Sequence, residues 1–338
     1  MCKLINNWLK HFRRRKNNTS YISNLIDLAE NEEDCFDKIS KDVFFKYKKY
    51  DLHAKDSLEK KYFYFSKPSE LDDPFECKAI PYFDNASDEE IQFWLDKMKT
   101  CGAKIPYNNV ADVKNDIKNG KLTEYYLHNS ENAETHRVFS LCKECDNETL
   151  WAAYADYYNG LCIGYKTRFS PEKDENYYAL DIRQPSADVY GVVFNDSNSP
   201  YLMLKKVDYS GRYKFDWISH KLYNQNGSLM LDGSSSLDDE NKIYNSIFRS
   251  KNPVWEKQNE YRCTFQVLNK DLKKIEYPDE TLSTIIFGYK MTSDKIKEVY
   301  DTVTKQYKST VDFYIAVPDI KTLKIKIIKY SPDLYKKN

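Results

Sequence analysis

The segment from Tyr62 to Cys77 carries Ser66, Ser69, Asp72, Asp73 and Glu76 within eleven positions, directly after the aromatic run Tyr62-Phe63-Tyr64-Phe65. Carboxylates and hydroxyls packed this densely can ligate a hard cation, hold a sugar, or stabilise a developing positive charge. A second acidic pair, Glu256 and Glu260, sits in the run Trp255-Glu-Lys-Gln-Asn-Glu-Tyr-Arg262. If residues 254–260 form a helical turn, the two glutamates share a face. If Glu260 instead opens a strand through Val267, it stands at a strand edge near Arg262, either salt-bridged or functional. Both acidic sets also have a local account: an Asx turn for Asp72 and Asp73, and a Lys or Arg pair closing the sheet end for Glu260.

Other chemistries lack their signatures. There is no P-loop, dinucleotide glycine fingerprint, paired-histidine zinc helix or nucleophile elbow. His11, His53, His128, His136 and His220 are isolated from one another, so no Ser-His-Asp or Cys-His arrangement is indicated. Cys142-Lys-Glu-Cys145 is a lone C-x-x-C with no second pair to complete a zinc site, and Cys142 reads as the end of a buried strand.

The elements that must position these groups follow from periodicity and caps. Val43 to Tyr47 reads as a first strand, Asp51 caps a short helix carrying Leu52, Lys55 and Leu58, and Tyr62 to Phe65 is a second strand. Pro68 and Pro74 stop any ladder beyond it. Ser87-Asp88-Glu89-Glu90 is a capping box ahead of Ile91, Trp94, Leu95 and Met98; with Val110–Ile117 and Leu122–His128 it makes a helical insertion over about 87–130. Val138 to Cys142 is a third strand. Asn147 caps a helix bearing Trp151, Tyr154, Ala155 and Tyr158, which Gly160 ends in a left-handed position before a strand Leu161–Tyr165. Trp151, Tyr154 and Tyr158 are expected to pack against that strand.

Further strands are expected at Val189–Phe194, Tyr201–Val207, Tyr261–Val267 and Ile285–Phe287, and in the alternating runs around Phe313–Val317 and Leu323–Ile327. Helices are expected over Leu237–Arg249 and after Thr292, and Asn224–Ser236 reads as a loop. The fold class is α+β, with a mixed, largely antiparallel sheet and helices inserted between strands. The division is an N-terminal helical segment over 1–41, one α+β domain over 42–330, and a tail over 331–338. Trp8, Leu9 and Phe12 give the first segment an amphipathic face, and its basic run Lys10 to Lys16 faces an acidic one from Asp27 to Asp37.

Composition sets the bounds. Lys and Arg total 52 against 52 Asp and Glu, so no whole-chain attraction to nucleic acid or membrane is indicated, although nucleic acid stays open. The 29 Tyr, 17 Phe and 5 Trp predict an aromatic-rich core. The 8 cysteines are scattered without a secretion signal, which points to reduced thiols in the cytoplasm. No apolar run reaches membrane-span length.

The wording resembles a family. Phe45-Lys46-Tyr47, the aromatic-Ser-x-Pro to Asp-Pro-Phe-Glu run, Arg137-Val-Phe-Ser-Leu141, Leu150-Trp-Ala-Ala-Tyr-Ala155, Gly160-Leu-Cys-Ile-Gly-Tyr165, Trp255 to Arg262, and Ile285-Ile-Phe-Gly-Tyr289 are similar in order and spacing to the mostly bacterial domain of unknown function 2971. The resemblance spans about residues 43–328 and implies no settled activity. The opening strand–helix–strand with a late strand glutamate is also similar to the ADP-ribosyltransferase fold. That likeness implies NAD as cofactor, with the nicotinamide ribose held by Lys46 or Tyr47, the nicotinamide pocket lined by Tyr64 or Ser66, and Glu260 supporting charge at the anomeric carbon, Glu256 being its alternate. Asp73, Trp151, Tyr154 and Arg262 complete the candidate binding set. Lys46 stands where that fold usually has His or Arg. Such domains often act as toxins or anti-phage effectors, which would make antiviral defence the biological role. Two alternatives stay open: a metal-dependent nuclease or phosphodiesterase using Asp72, Asp73, Glu76, Asp156 and Glu260, and a non-catalytic sensor that stacks a nucleotide or peptide on Tyr64, Trp151 and Tyr154.

Overall fold

The computed structural model describes residues 30–73, 75–77, 80–81, 86–100, 105–119, 135–172, 175–183, 189–190, 193–195, 200–210, 214–215, 222–225, 228–231, 244–245 and 247–332. The amphipathic segment at Trp8–Phe12, the helix expected at Leu122–His128 and the first part of the one expected at Leu237–Arg249 lie outside these residues.

The strands are β1 (Val43–Lys48), β2 (Tyr62–Tyr64), β3 (Ile80–Pro81), β4 (His136–Cys142), β5 (Leu161–Lys166), β6 (Arg168–Glu172), β7 (Glu175–Asp181), β8 (Val189–Tyr190), β9 (Val193–Asn195), β10 (Pro200–Lys206), β11 (Lys214–Phe215), β12 (Leu222–Gln225), β13 (Ser228–Leu231), β14 (Glu260–Val267), β15 (Lys274–Glu276), β16 (Leu282–Gly288), β17 (Asp312–Asp319) and β18 (Lys324–Lys329). Among the described residues the helices include α1 (Leu52–Glu59), α2 (Asp88–Thr100), α3 (Val110–Lys118), α4 (Glu148–Ala153) and α5 (Ser293–Gln306), and short 3-10 turns precede β14 and β16.

One sheet of 12 strands organises the molecule, in the order β18-β17-β16-β5-β1-β4-β14-β10-β7-β6, with β8 on β14 and β9 on β10. Its pairings are antiparallel except β16 with β17, which are parallel and joined by the α5 crossover that such a pair needs. The fold is thus α+β with a mixed, mostly antiparallel sheet. The Asn224–Ser236 stretch is not wholly a loop: β12 and β13 form a hairpin there, because Leu222–Gln225 and Ser228–Leu231 pair in register.

Alternation along β1 divides the core. Phe44 joins an aromatic cluster with Phe63, Phe65, Phe139, Tyr165 and Tyr277, onto which α5 sets Ile296, Val299 and Val303. Phe45 and Tyr47 face the other way, into a cluster with Trp151, Cys162, Ile286 and Ile327. Local signals hold where sequence placed them. Asp51 accepts from the Ala54 amide at 2.9 Å, Asn147 from the Leu150 amide at 3.1 Å, and Ser87 and Glu90 exchange the two bonds of a capping box.

The opening strand–helix–strand does not place β2 beside β1. β2 pairs with β15, outside the large sheet. β1 is held by β5 over six residues and by β4 at the single register Phe45–Cys142. Where β1 leaves β4, the chain after β2 takes over that edge: Ser66 and Val138 exchange both backbone hydrogen bonds, at 2.9 and 3.0 Å. The sheet is split between β1 and β4, with Ser66 in the wedge.

Candidate functional site

A cavity of about 240 Å³ opens in that split. Lys46 from β1, Ser66 from the wedge, Ser140 from β4, Tyr154 just beyond α4, and Gln258 and Glu260 from the entry to β14 all line it. These side chains come from distant parts of the chain and converge because a broken ladder leaves room for them. Asn147 sets α4 and so aims Tyr154. Asn259 takes the left-handed conformation, φ 43°, between a 3-10 turn (Pro253–Gln258) and β14. That reversal turns Gln258 and Glu260 inward and leaves Glu256 outside.

Glu260 is the hub of a buried charge set. Arg262 donates to its two carboxylate oxygens from Nε at 2.5 Å and Nη2 at 3.1 Å, and Lys251 Nζ donates at 2.9 Å. Glu76 closes the set, ion-paired to Arg262 and lying 3.3 Å from Lys251 Nζ. All four are buried. Charges taken out of water persist only when paired and hydrogen-bonded, and here two anions meet two cations. Burial works against the Lys251 charge, but the Glu260 carboxylate outweighs it and holds the ammonium above its ordinary value. Lys251 is itself fixed by two further bonds: its amide donates to Asp208 O and its Nζ to Gln258 Oε1. The Glu260 amide donates to the Tyr209 hydroxyl at 3.0 Å.

Lys46 occupies the opposite wall. Its Nζ donates to Ser140 O at 2.9 Å and sits 5.2 Å from the centre of the Phe139 ring. Among the described residues no carboxylate lies within ion-pair distance of it. Burial pushes its ammonium down to about 8; Glu260 pulls against this, while Lys48, Lys251 and Arg262 add to it.

Other candidates fall elsewhere. Tyr64 is on the surface, its hydroxyl 3.5 Å from Glu70, and does not line the cavity. Tyr47 reaches the lining, but its hydroxyl donates to Glu144 O and accepts from the Asn147 amide. Trp151 is fully buried, donates to Cys145 O, and stacks on Tyr158 at 5.5 Å, so it is core and offers no stacking face. Asp73 is buried behind the cavity, accepting from the Phe75 amide in the Asx turn that its sequence allowed. Glu256 does not share a face with Glu260; it is exposed along a separate groove with Lys206, Tyr209 and Lys257. Arg262 touches Glu260 rather than the cavity.

Of the carboxylates considered for a metal, Asp72, Glu76 and Glu260 line the cavity. Among the described residues, however, no group of three or more His, Cys, Asp or Glu side chains is placed to hold one. Cys142 ends β4 as expected, and burial drives its thiol up to about 12, the protonated form.

Gly160 is needed for a reason other than the expected one. The left-handed residues are Asp156, Tyr157 and Tyr158, with φ of 48°, 51° and 70°. At Gly160 itself a Cβ would run into the Lys48 carbonyl oxygen. The turn brings Tyr158 back onto Trp151 and so braces the base of Tyr154.

Sequence reasoning missed Lys251 and Gln258. The signal available was the buried glutamate itself, which calls for a cation, and Lys251 lies nine positions upstream of it.

Residues 150–263 match the family model described as protein of unknown function (DUF2971), which bears out the resemblance to that family. The matched stretch contains Trp151, Tyr154, Lys251, Gln258, Glu260 and Arg262. No curated protein matches the chain, and no solved structure matches it.

Proposed function

We propose that the cavity between β1, β4 and β14 is the active site of a nucleotide-directed enzyme that uses NAD in the manner of an ADP-ribosyltransferase. One observation carries the reading: Lys46, Ser66 and Glu260, drawn from the three segments that the resemblance singled out, line a single cavity. NAD supplies an anomeric carbon from which nicotinamide can leave, and the residues fit that chemistry at the level of one ring and its sugar. The cavity volume lies just under the range of about 300–1,000 Å³ typical of drug-sized pockets.

Loss of nicotinamide develops positive charge on the ribose, and a fixed carboxylate lowers the energy of that state. Glu260 is held in place by Arg262 and Lys251, so it needs no reorganisation as the charge develops. Ser66, Tyr154 and Gln258 offer hydroxyl and amide groups to the sugar. The unusual residue is Lys46, a primary amine where the transferase fold usually has His or Arg. A macromolecular target, an effector role in bacterial antiviral defence and a cytoplasmic setting would follow from this reading. For the membrane, the finding is that no helix among the described residues is long and apolar enough to cross one.

The test is direct. NAD⁺ should raise the melting temperature, because a ligand that binds the folded state alone stabilises it by mass action. Glu260→Gln should lower turnover per folded molecule by about 10²–10³ while leaving NAD⁺ affinity near wild type. The variant also strips a counter-charge from Lys251 and Arg262, so the folded fraction must be measured alongside. Absence of NAD⁺ binding by calorimetry at millimolar ligand would overturn the reading.

A further inference from the structure

We propose that Lys46 is a nucleophilic amine that forms an imine with the carbonyl carbon of a small aldehyde or ketone ligand, such as an open-chain sugar, bound in the cavity. The claim concerns the same cavity as the NAD reading and does not depend on it.

Charge sets the first condition. Glu76 and Glu260 are held by Lys251 and Arg262, with Asp73 buried near Arg262. Among the described residues an ammonium at Lys46 has no carboxylate within ion-pair distance, and it stands in a partly desolvated place with Lys251 and Arg262 nearby. A lysine that is desolvated beside other cations is the standard way to expose an amine lone pair near neutral pH. Geometry then directs it. The Ser140 carbonyl at 2.9 Å orients Nζ, and the Nζ lies within the lining of the cavity, not on open surface. The cavity lining also includes Ser66, Tyr154 and Gln258, whose hydroxyl and amide groups suit the hydroxyls of a polyol. The 240 Å³ volume favours a compact ligand.

The step is balanced without any further reagent. The Nζ lone pair attacks the carbonyl carbon, forming the C–N bond as the C=O π pair moves to oxygen. The two amine protons leave with that oxygen as water, and C=N replaces C=O.

The charged groups around Lys46 are Lys48 on its own strand, Glu260 and Arg262 on β14, and Lys251 ahead of the 3-10 turn, with Glu70, Asp72 and Glu76 elsewhere in the cavity lining. The carboxylates favour the ammonium, Glu260 foremost, and the three cations favour the amine. With the titration near 8, a far larger share of Lys46 is free amine at pH 7.5 than of an ordinary lysine; the ratio is about 10².

The experiment treats the full chain with glycolaldehyde and cyanoborohydride, which reduces an imine to a stable secondary amine, and maps the adducts by peptide mass. Lys46 should be labelled about 10–100-fold faster than the exposed Lys60 and Lys297, with a rate that rises through pH 8. Lys46→Arg, which keeps a cation but has no primary amine, should lack that adduct while melting near wild type. Labelling of Lys46 no faster than Lys60 and Lys297 would overturn the proposal, and that result comes from the native protein even if the variant fails to fold. Fast labelling in a protein that ignores NAD⁺ would keep the amine and discard the transferase.

Discussion

The two edges of β1 are built on different principles. Toward β5, six residues pair in continuous register, and the neighbouring side chains crowd so closely that a Cβ on Gly164 would meet Val43 Cγ1 at 2.8 Å and Thr284 Cβ at 2.9 Å. Toward β4 there is one pair, and then the strands part. A continuous ladder satisfies the backbone with backbone and leaves no space. A broken ladder leaves that work to other groups: the Lys46 side chain reaches Ser140 O, the Ser66 backbone pairs with Val138, and Glu260, Arg262, Lys251 and Glu76 form the buried charge set beyond. The cavity exists because the ladder stops.

If that contrast is right, the split edge should be the more sensitive to loss of a single charge. Arg262→Met leaves Glu76 and Glu260 buried with only Lys251 between them. Removing one partner of a buried pair typically costs about 3–5 kcal/mol, because the other charge stays buried. Urea unfolding should show a loss on that scale. A loss under about 1 kcal/mol would mean that the charge set is hydrated and that the two edges differ less than described.

The Lys46 wall can be read through pH. Its folded titration lies near 8, below the ordinary 10.5, because burial disfavours the ammonium. Between those values the unfolded chain binds more protons than the folded one, so stability should rise with pH across that window. Lys46→Met has no such group. The gap between wild type and variant should therefore move in favour of wild type, by about 2–3 kcal/mol from pH 8 to 10.5. Taking the difference cancels the buried cysteines and tyrosines, whose raised values act in the opposite sense. A flat difference would place Lys46 in solvent and remove its special role.

On the ladder edge the expected effect is steric and smaller. Gly164→Ala puts a methyl where Val43, Thr284 and Phe45 already meet, and overpacking of this kind costs about 1–3 kcal/mol. It should lower the unfolding midpoint without altering the reactivity of Lys46. If it changed that reactivity as much as stability, the two edges would be coupled.

The same contrast explains what the sequence could disclose. Strands such as Val43–Lys48 and Asp312–Asp319 show themselves by alternation, and caps at Asp51, Ser87 and Asn147 by residue type, because both depend on neighbours in the chain. Glu260 could be singled out as a carboxylate at the mouth of a strand. Its distance from Glu256 could not, since that turns on one left-handed residue, Asn259. The placement of Ser66 against Val138 was hidden as well: an aromatic run such as Tyr62–Phe65 does not encode which strand it will join. Asp156, Tyr157 and Tyr158 carry no sign of left-handed backbone, because packing of Tyr158 between Trp151 and Tyr289 holds them there.

The smallest effect should come from Asn147, and it is the sharpest test of side chains standing in for a ladder. Its oxygen caps α4 by accepting from the Leu150 amide. Its Nδ2 donates to Lys257 O at 2.7 Å and lies 3.3 Å from a Glu144 oxygen, tying the end of β4 to the turn that carries Gln258 into the cavity. Asn147→Ala removes both functions and should cost about 1 kcal/mol, the usual value of a lost cap. Asn147→Asp keeps the cap oxygen, since Asp caps as well as Asn, but loses the donor and places a second carboxylate beside Glu144. If the tie matters, both variants should open the 256–259 turn locally, seen as faster amide hydrogen exchange there with no change at Ile163 and Gly164 on the ladder edge. If the cap alone matters, Asn147→Asp should exchange like wild type and only Asn147→Ala should differ. That second pattern would assign the order of the cavity wall to α4 and not to the bridge across the split.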